Sequence, residues 1–123
     1  MNNVETLTIL NVDDNAANRT FVGGWKTNHD GPPTTYAMAS YDAAAVLDKA
    51  IAAASAAKPG TAPTPTAINA AIGNLGQLDS PRGTWEFSKT THSPVQRWYL
   101  RQVRQDGRSL SNTVVADLVT LGG

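Results

Sequence analysis

Hydrophobic and polar positions follow different periods at the two ends of the chain. A short apolar run from Val4 to Val12 predicts one buried strand. From about residue 15 to residue 75, apolar residues recur at helical spacing, and from Thr84 onward they alternate with polar ones, as in half-buried strands. The predicted order is a strand, three helices and an antiparallel β-meander, which indicates an α/β or α+β fold.

The first predicted helix runs from Asn15 to about Thr27. Asp13 and Asp14 are its N-cap candidates, because short polar side chains accept hydrogen bonds from the unpaired amides of a first turn. Gly31 and the prolines that follow it end the helix, since proline cannot continue one. Its apolar stripe is Ala17, Phe21, Val22 and Trp25.

The second predicted helix is rich in alanine and runs from Thr35 to about Ala56, with Thr34 or Thr35 as its cap. Small residues along its buried stripe would let another backbone approach closely, as when a helix lies against a sheet. That expected stripe is Ala39, Ala43, Val46, Leu47, Ala50 and Ile51.

The third predicted helix follows a loop of Pro, Gly, Ala and Thr from Lys58 to Pro65. Thr66 is its expected cap, and it runs from Ala67 to about Leu75. Its expected buried edge is Ile68, Ala71 and Ile72.

Turn signals delimit the predicted strands. Ser80-Pro81-Arg82-Gly83 predicts a turn, and Thr84 to Phe87 a half-buried strand. A second strand follows Pro94. Asp106-Gly107 then predicts a hairpin that leads to a strand from Asn112 to Leu118.

Composition excludes several functional classes. The 123 residues suit one domain, and the formal net charge of zero gives no long-range field to recruit nucleic acid or an anionic membrane. The absence of cysteine rules out disulfides, a cysteine-ligated metal and a thiol nucleophile. No apolar run is long enough to span a bilayer, and the first residues lack the pattern of a signal peptide.

Two clusters suggest metal or catalytic chemistry, and in each a plain structural interpretation is favoured. Asp13, Asp14 and Asn15 lack the alternate ligand spacing, central glycine and closing glutamate of a calcium loop, so we predict a helix cap and no metal. Ser93 and His92 are adjacent, which on an extended chain directs their side chains to opposite faces, so no triad with Asp79 is expected. We therefore expect no catalytic residues and no cofactor.

Arginines alternate with aromatic residues between Arg97 and Arg104, a pattern found where bases stack and phosphates pair. On a strand, however, Arg97, Tyr99 and Arg101 would line one face, with the guanidinium groups in solvent. Because the net charge is zero, we favour this amphipathic strand and expect no nucleic-acid partner.

Three segments, in order, resemble one family across nearly the whole chain. They are DDNAANRTFVGGWKTNHDGPPTTYA, ASYDAAAVLDKAI and PRGTWEFSKTTHSPVQRWYLRQV. Together they resemble the C-terminal third or so of type I periplasmic binding proteins of the branched-chain amino acid or amide class, which feed ABC transporters. The resemblance implies a partial Rossmann-like lobe followed by a C-terminal antiparallel β-meander.

The resemblance also implies two lobes that close on a ligand. Two of the strands that cross between lobes would fall here, with Asn11, Val12, Pro94 and Gln96 as hinge residues. Residues 12–94, approximately, would belong to the N-terminal lobe, and residues 1–11 and 95–123 to strands of the other lobe.

The resemblance implies that Tyr41, at the Tyr-Asp-Ala motif, faces the cleft, with Ser40 beside it and Tyr36 as a rival contact. A rigid ring with a polar tip suits a partly wet pocket. The alternative is that Tyr41 only packs its helix against a neighbour. Amino acids, amides, urea-like molecules and aromatic acids all stay open as ligands.

Solute binding, without enzymatic activity, is the function that the resemblance implies. Its partners would be a small-molecule ligand and an ABC transporter permease, in the periplasm or at the outer face of the membrane. Because so much of the family's length is unmatched, we expect this chain alone to be incomplete for binding, and to associate with the missing N-terminal portion or with itself. The alternatives are a sensory lobe of the same fold that acts on a partner protein, and an independent small module or enzyme.

Overall fold

The computed structural model describes residues 5–8, 15–31, 33–106 and 109–121. The predicted order of elements is confirmed. The elements are β1 (Glu5–Thr8), α1 (Ala16–Asn28), α2 (Thr35–Ala57), α3 (Pro65–Gly73), β2 (Glu86–Phe87), β3 (Pro94–Asp106) and β4 (Ser109–Leu121).

Strand β3 organises an antiparallel sheet, since β1, β2 and β4 each pair with it. β4 follows it from Gln96 to Asp106, and β1 pairs with residues 99–102. β1 and β4 lie on opposite edges of β3, because both pair with those same residues. Asp106 pairs with Ser109 as the predicted hairpin requires, although the connecting residues 107–108 lie outside the described residues.

Helix α1 is capped by Asn15 and not by the aspartates predicted for that role. The Asn15 side chain accepts hydrogen bonds from the amides of Ala17 at 2.8 Å and Asn18 at 3.4 Å, so the helix begins at Ala16. An asparagine carbonyl does this as well as a carboxylate. Asp13 and Asp14 lie outside the described residues, as do the hinge candidates Asn11 and Val12.

Helix α2 has the predicted bounds to within one residue, but the predicted buried stripe is largely wrong. The buried residues recur every fourth position: Met38, Asp42, Val46, Ala50 and Ala54. Leu47 and Ile51 are 48% and 43% exposed. The helix is rotated from the predicted orientation because a carboxylate in this row finds partners on a distant turn, described below.

Helix α3 begins two residues earlier than predicted. Thr64 is the N-cap, and its hydroxyl accepts a hydrogen bond from the Ala67 amide at 3.2 Å. Pro65 occupies the first turn, where its missing N–H costs nothing because that amide would have no helical partner. The predicted cap, Thr66, therefore lies inside the helix.

The core of the helical part joins α2 to the segment before β2. Val46, Leu78 and Trp85 form it, with Ile72, Leu75 and Phe87 packed against it. Leu78 and Trp85 also exchange two backbone hydrogen bonds, of 2.7 and 3.0 Å. The predicted strand from Thr84 is thus shortened to an isolated bridge at Trp85 followed by β2.

The predicted solvation of the arginines holds for Arg97 but not for Arg101. The side chain of Arg97 is 57% exposed, whereas Arg101 is 2% exposed. Arg101 pairs with Thr6 of β1 and with Val114 of β4. No helix among the described residues is long and apolar enough to cross a bilayer.

The orientation of α2 predicts a large effect of truncation at Val46 and a small effect at the adjacent Leu47. Val46→Ala is expected to lower the free energy of unfolding by about 2 kcal/mol, because two buried methyl groups are lost. Leu47→Ala removes more carbon from an exposed site and is expected to change it by less than about 0.5 kcal/mol. Urea unfolding followed by circular dichroism compares them. A larger loss for Leu47→Ala would contradict this orientation.

Candidate functional site

A groove of about 780 Å³ lies where the helices meet the strands. Its walls come from the start of α1, the segment 77–86, the start of β3 and the end of β4. Among the lining residues are Asn15, Ser80, Arg82, Trp85, Gln96, Arg97, Tyr99 and Thr120. The groove is therefore built from segments that are far apart in sequence.

A buried ion pair lies beside this groove, whose lining includes Arg82 but not Asp42. Asp42 Oδ2 accepts hydrogen bonds from Ser80 Oγ at 2.8 Å and from Arg82 Nε at 2.7 Å. The two charged side chains are only 6% and 11% exposed, for Asp42 and Arg82 respectively. Arg82 Nη1 also donates to Gln96 Oε1 at 3.0 Å. One guanidinium thus joins α2 to the first residues of β3.

The predicted turn at Ser80 to Gly83 sets the direction of Arg82. The Gly83 amide donates to the Ser80 carbonyl at 2.9 Å, and the Arg82 amide donates to Ser80 Oγ at 3.1 Å. Gly83 has φ +99°, a left-handed conformation that favours glycine. Asn15 Nδ2 donates to the Ser80 carbonyl at 2.6 Å, which fixes the turn to the start of α1.

Aromatic and charged side chains complete the walls. Arg82 lies over the Trp85 ring at 5.2 Å from its centroid, and Trp85 makes an edge contact with Phe87 at 4.9 Å. On the rim, Arg97 Nε donates to both carboxylate oxygens of Asp117 at 2.7 and 2.9 Å. This hydrogen bond, and then the charge of Asp117, raise the pKa of Arg97.

The predicted ligand contacts lie on α2, away from the residues that line this groove. Tyr36 is 85% exposed, and Ser40 Oγ donates to the Tyr36 carbonyl within the helix at 3.2 Å. Tyr41 is 43% exposed, and its ring lies 5.0 Å from the ring of Phe21. Tyr41 therefore packs α2 against α1 while half of its surface stays open.

The predicted hinge residues of the second crossing lie together at the start of β3. Pro94 is opposite Phe87 of β2. Gln96 is buried and lines the groove as the acceptor for Arg82.

Sequence reasoning missed Asp42, Ser80 and Arg82. Asp42 had a detectable signal: it is the second member of a row of otherwise apolar residues spaced by four, where a buried acid needs a partner. Within the described part of the chain, no three His, Asp or Glu side chains gather in a way that could hold a metal ion.

Comparison with known proteins supports one family. Residues 4–108 match the family described as periplasmic binding protein. A comparison with curated protein sequences finds no match.

Three of the solved structures that share this fold are described as solute-binding or transporter proteins. A solute-binding protein of an ABC transporter from Rhodopseudomonas palustris BisB5, in complex with 3,4-dihydroxybenzoic acid, superposes with a TM-score of 0.77 at 22% identity; the match covers 97% of this chain and 31% of that one. An ABC transporter substrate-binding protein from Sphaerobacter thermophilus gives 0.75 at 23% identity, over 94% and 30% of the two chains.

An ABC-type branched-chain amino acid transporter from Rhodopseudomonas palustris CGA009 gives a TM-score of 0.71 at 21% identity, again over 94% of this chain and 30% of that one. This chain therefore spans about three tenths of the length of the solved structures that it matches. The match of sequence over residues 4–108, together with the shared fold, shows that the chain belongs to the periplasmic binding protein family.

Proposed function

We propose that this chain forms part of a two-lobed protein that binds a small organic molecule outside the cytoplasm and presents it to an ABC transporter permease. Family membership supports solute binding. Neighbours of the same fold are described as a complex with 3,4-dihydroxybenzoic acid and as a branched-chain amino acid transporter. An aromatic acid, an amino acid or an amide is accordingly the proposed class of ligand.

The observation that carries the proposal is the position of the groove. It lies between a body made of the helices and β2 and a sheet made of β1, β3 and β4. We propose that these are parts of the two lobes, with residues 12–94, approximately, in one and residues 1–11 and 95–123 in the other. A ligand that contacts both lobes would favour the closed form by its differential affinity, and no bond is made or broken.

Tyr41, Ser40 and Tyr36 stay proposed ligand contacts on the helical body. Both tyrosine rings keep a large exposed surface, which a ligand or further polypeptide could cover. The remaining walls of the cleft are proposed to come from residues outside these 123, in keeping with the three tenths of the neighbours' length that the chain spans.

An open apolar groove on α2 supports the proposal that further polypeptide completes this part of the protein. It has a volume of about 310 Å³, and its lining is mostly apolar, including Ala39, Ala43, Leu47, Ile72 and Phe87. We propose that further polypeptide covers this apolar surface. The sensory alternative has no such support, because the neighbours are described as transporter proteins.

Calorimetry tests the proposal on two samples, the 123-residue chain and the polypeptide encoded by the whole reading frame around it. The probes are branched-chain amino acids, short amides and hydroxybenzoates. We expect one class to bind the longer polypeptide with micromolar or lower Kd, and small-angle scattering to show a smaller radius of gyration on binding. The 123-residue chain is expected to show no micromolar binding and to self-associate in sedimentation.

Three results would contradict the proposal. The first is turnover of a probe into a product, and the second is binding without compaction. The third is micromolar binding by a 123-residue chain that sediments as a stable, folded monomer, because the cleft would then need no further polypeptide.

A further inference from the structure

A second cavity, of about 360 Å³, lies between the end of α3 and the loop that follows β2. It shares no lining residue with the groove between the two proposed lobes. Its volume is within the range of small-molecule sites, which are usually formed before the ligand arrives. Among its lining residues are Ile72, Gly73, Phe87, Ser88, Lys89 and His92.

The loop that forms one wall is closed by hydrogen bonds to Ser88, which is 7% exposed. The Ser88 hydroxyl accepts from the amides of Thr90 and Thr91, both at 3.3 Å. The Ser88 carbonyl accepts from the His92 amide at 3.1 Å, and the Ser88 amide donates to the Ser93 carbonyl at 2.8 Å. These bonds close the loop on itself, so this wall of the cavity is formed without a ligand.

His92 has an unusual backbone conformation for a residue with a side chain. Among the described residues it is the one non-glycine residue with a positive φ, at +58°. Glycine adopts this left-handed conformation without a steric cost, so the path of the loop alone does not account for a histidine here. Strained residues of this kind are concentrated where side chains contact ligands. His92 lines the cavity, and its imidazole has a nitrogen that can donate a hydrogen bond.

Lys89 brings a positive charge to the cavity. Its Nζ donates to the carbonyl oxygen of Gly73, the last residue of α3, at 2.6 Å. An ammonium group has three N–H donors, so two stay available for a ligand. The carbonyls at the end of α3 carry only about half a negative charge, which the full charge of Lys89 exceeds. No carboxylate lies among the described residues that line the cavity, so the local charge favours an anion.

Another part of the cavity is apolar. Ile72 and Phe87 line it, and each is half-buried. Apolar surface of this kind favours contact with hydrocarbon over contact with water. A molecule with one carboxylate and a small apolar body matches both parts of the cavity, whereas an inorganic anion would use the charged part only.

We propose that this cavity is a second binding site, which takes a small monocarboxylic acid with an apolar body. Lys89 and His92 bind the carboxylate, and Ile72 and Phe87 contact the apolar body. The site is built from α3, β2 and the loop after β2 alone, so it depends neither on lobe closure nor on the proposed function.

Nuclear magnetic resonance titration of the 123-residue chain tests the site, with benzoate as the probe. We expect saturable shifts of amides in residues 69–73 and 87–92, with a Kd between about 0.1 and 1 mM, as suits so small a ligand. Benzamide has the same shape without the charge and should bind about tenfold more weakly. No saturable shift, shifts confined to groove residues such as Asn15 and Arg97, or equal binding of benzamide would overturn the proposal.

Lys89→Gln tests the charge. Glutamine keeps an N–H donor for the Gly73 carbonyl, and the loss of the ammonium should weaken benzoate binding about fivefold. Lys49→Gln is the matched control, because Lys49 is an exposed lysine on α2 and does not line the cavity. It should leave the affinity unchanged. Equal effects of the two substitutions would show that only the overall charge matters and would overturn the role of Lys89.

His92→Asn removes the imidazole and places a residue that tolerates the left-handed backbone. We expect about fivefold weaker benzoate binding, while the midpoint of urea unfolding stays the same or rises. A purely structural role would give the reverse, a lower midpoint with unchanged binding, and that result would overturn the role of His92 in the site.

These measurements are separate from the calorimetry on the longer polypeptide. The proposed function is tested by binding to that polypeptide, whereas this site is tested by shifts at residues 69–73 and 87–92 of the 123-residue chain. Binding as weak as about 0.1–1 mM also agrees with the expectation that this chain alone shows no micromolar binding.

Discussion

Asp42→Ala is expected to lower the free energy of unfolding by about 3–5 kcal/mol, because it leaves a buried guanidinium without its countercharge. The side chain of Arg82 is only 11% exposed, so little of the guanidinium is hydrated. The hydroxyl of Ser80 loses its acceptor as well, since Asp42 Oδ2 receives both hydrogen bonds. Urea unfolding followed by circular dichroism measures the loss, which is a large part of the roughly 5–15 kcal/mol typical of a domain.

Asp48→Ala provides the matched control, since Asp48 is an exposed aspartate on the same helix. It is expected to change stability by less than about 0.5 kcal/mol. The double variant Asp42→Leu with Arg82→Met should recover most of the loss, because a well-packed apolar pair can replace a buried ion pair. Equal effects of Asp42→Ala and Asp48→Ala would show that the ion pair does not stabilise the fold.

Local signals were sufficient to predict the order of the elements. Helix limits depend on residues within a turn of each end, such as Thr34 before α2 and the prolines after α1. The hairpin between β3 and β4 likewise follows from Asp106-Gly107 between two strand-forming runs. Errors of one or two residues, as at Asn15 and Thr64, arose because several neighbouring side chains could each serve as a cap.

The orientation of α2 could not be predicted in the same way, because it depends on a distant residue. Apolar residues lie on more than one side of this alanine-rich helix, and the more continuous stripe was predicted to be buried. The structure buries the row that contains Asp42 instead, since Arg82, forty positions away along the chain, neutralises Asp42.

Of the candidate site, only residues named from the family resemblance could be predicted. Gln96 was named as a hinge residue and does lie on the groove, but the groove itself joins Asn15 to Ser80 across sixty-five positions. No periodicity or spacing relates such residues before the chain is folded. The role of Tyr41 was taken from the same resemblance and stays a prediction, since it lies beside α1 and not among the residues that line the groove.

Trp85→Ala is expected to lower the free energy of unfolding by about 3–5 kcal/mol, similar to the effect of Asp42→Ala. Trp85 is 6% exposed and is the largest side chain of the core that joins α2 to the strand segments. Its loss leaves a cavity between Val46, Leu78 and Phe87 and removes the ring beneath Arg82. Urea unfolding measures the change, and Trp85→Phe should retain part of the stability because it refills part of that volume.

Trp25→Ala is the control for loss of an indole as such. Trp25 is partly exposed and stacks on His29 at 3.9 Å between ring centroids, so its removal should cost only about 1–2 kcal/mol.

Trp85 and Asp42 both contact Arg82, and the double variant Asp42→Ala with Trp85→Ala should therefore lose less stability than the sum of the single losses. Additive losses would contradict the view that the ion pair and the aromatic core are coupled through Arg82.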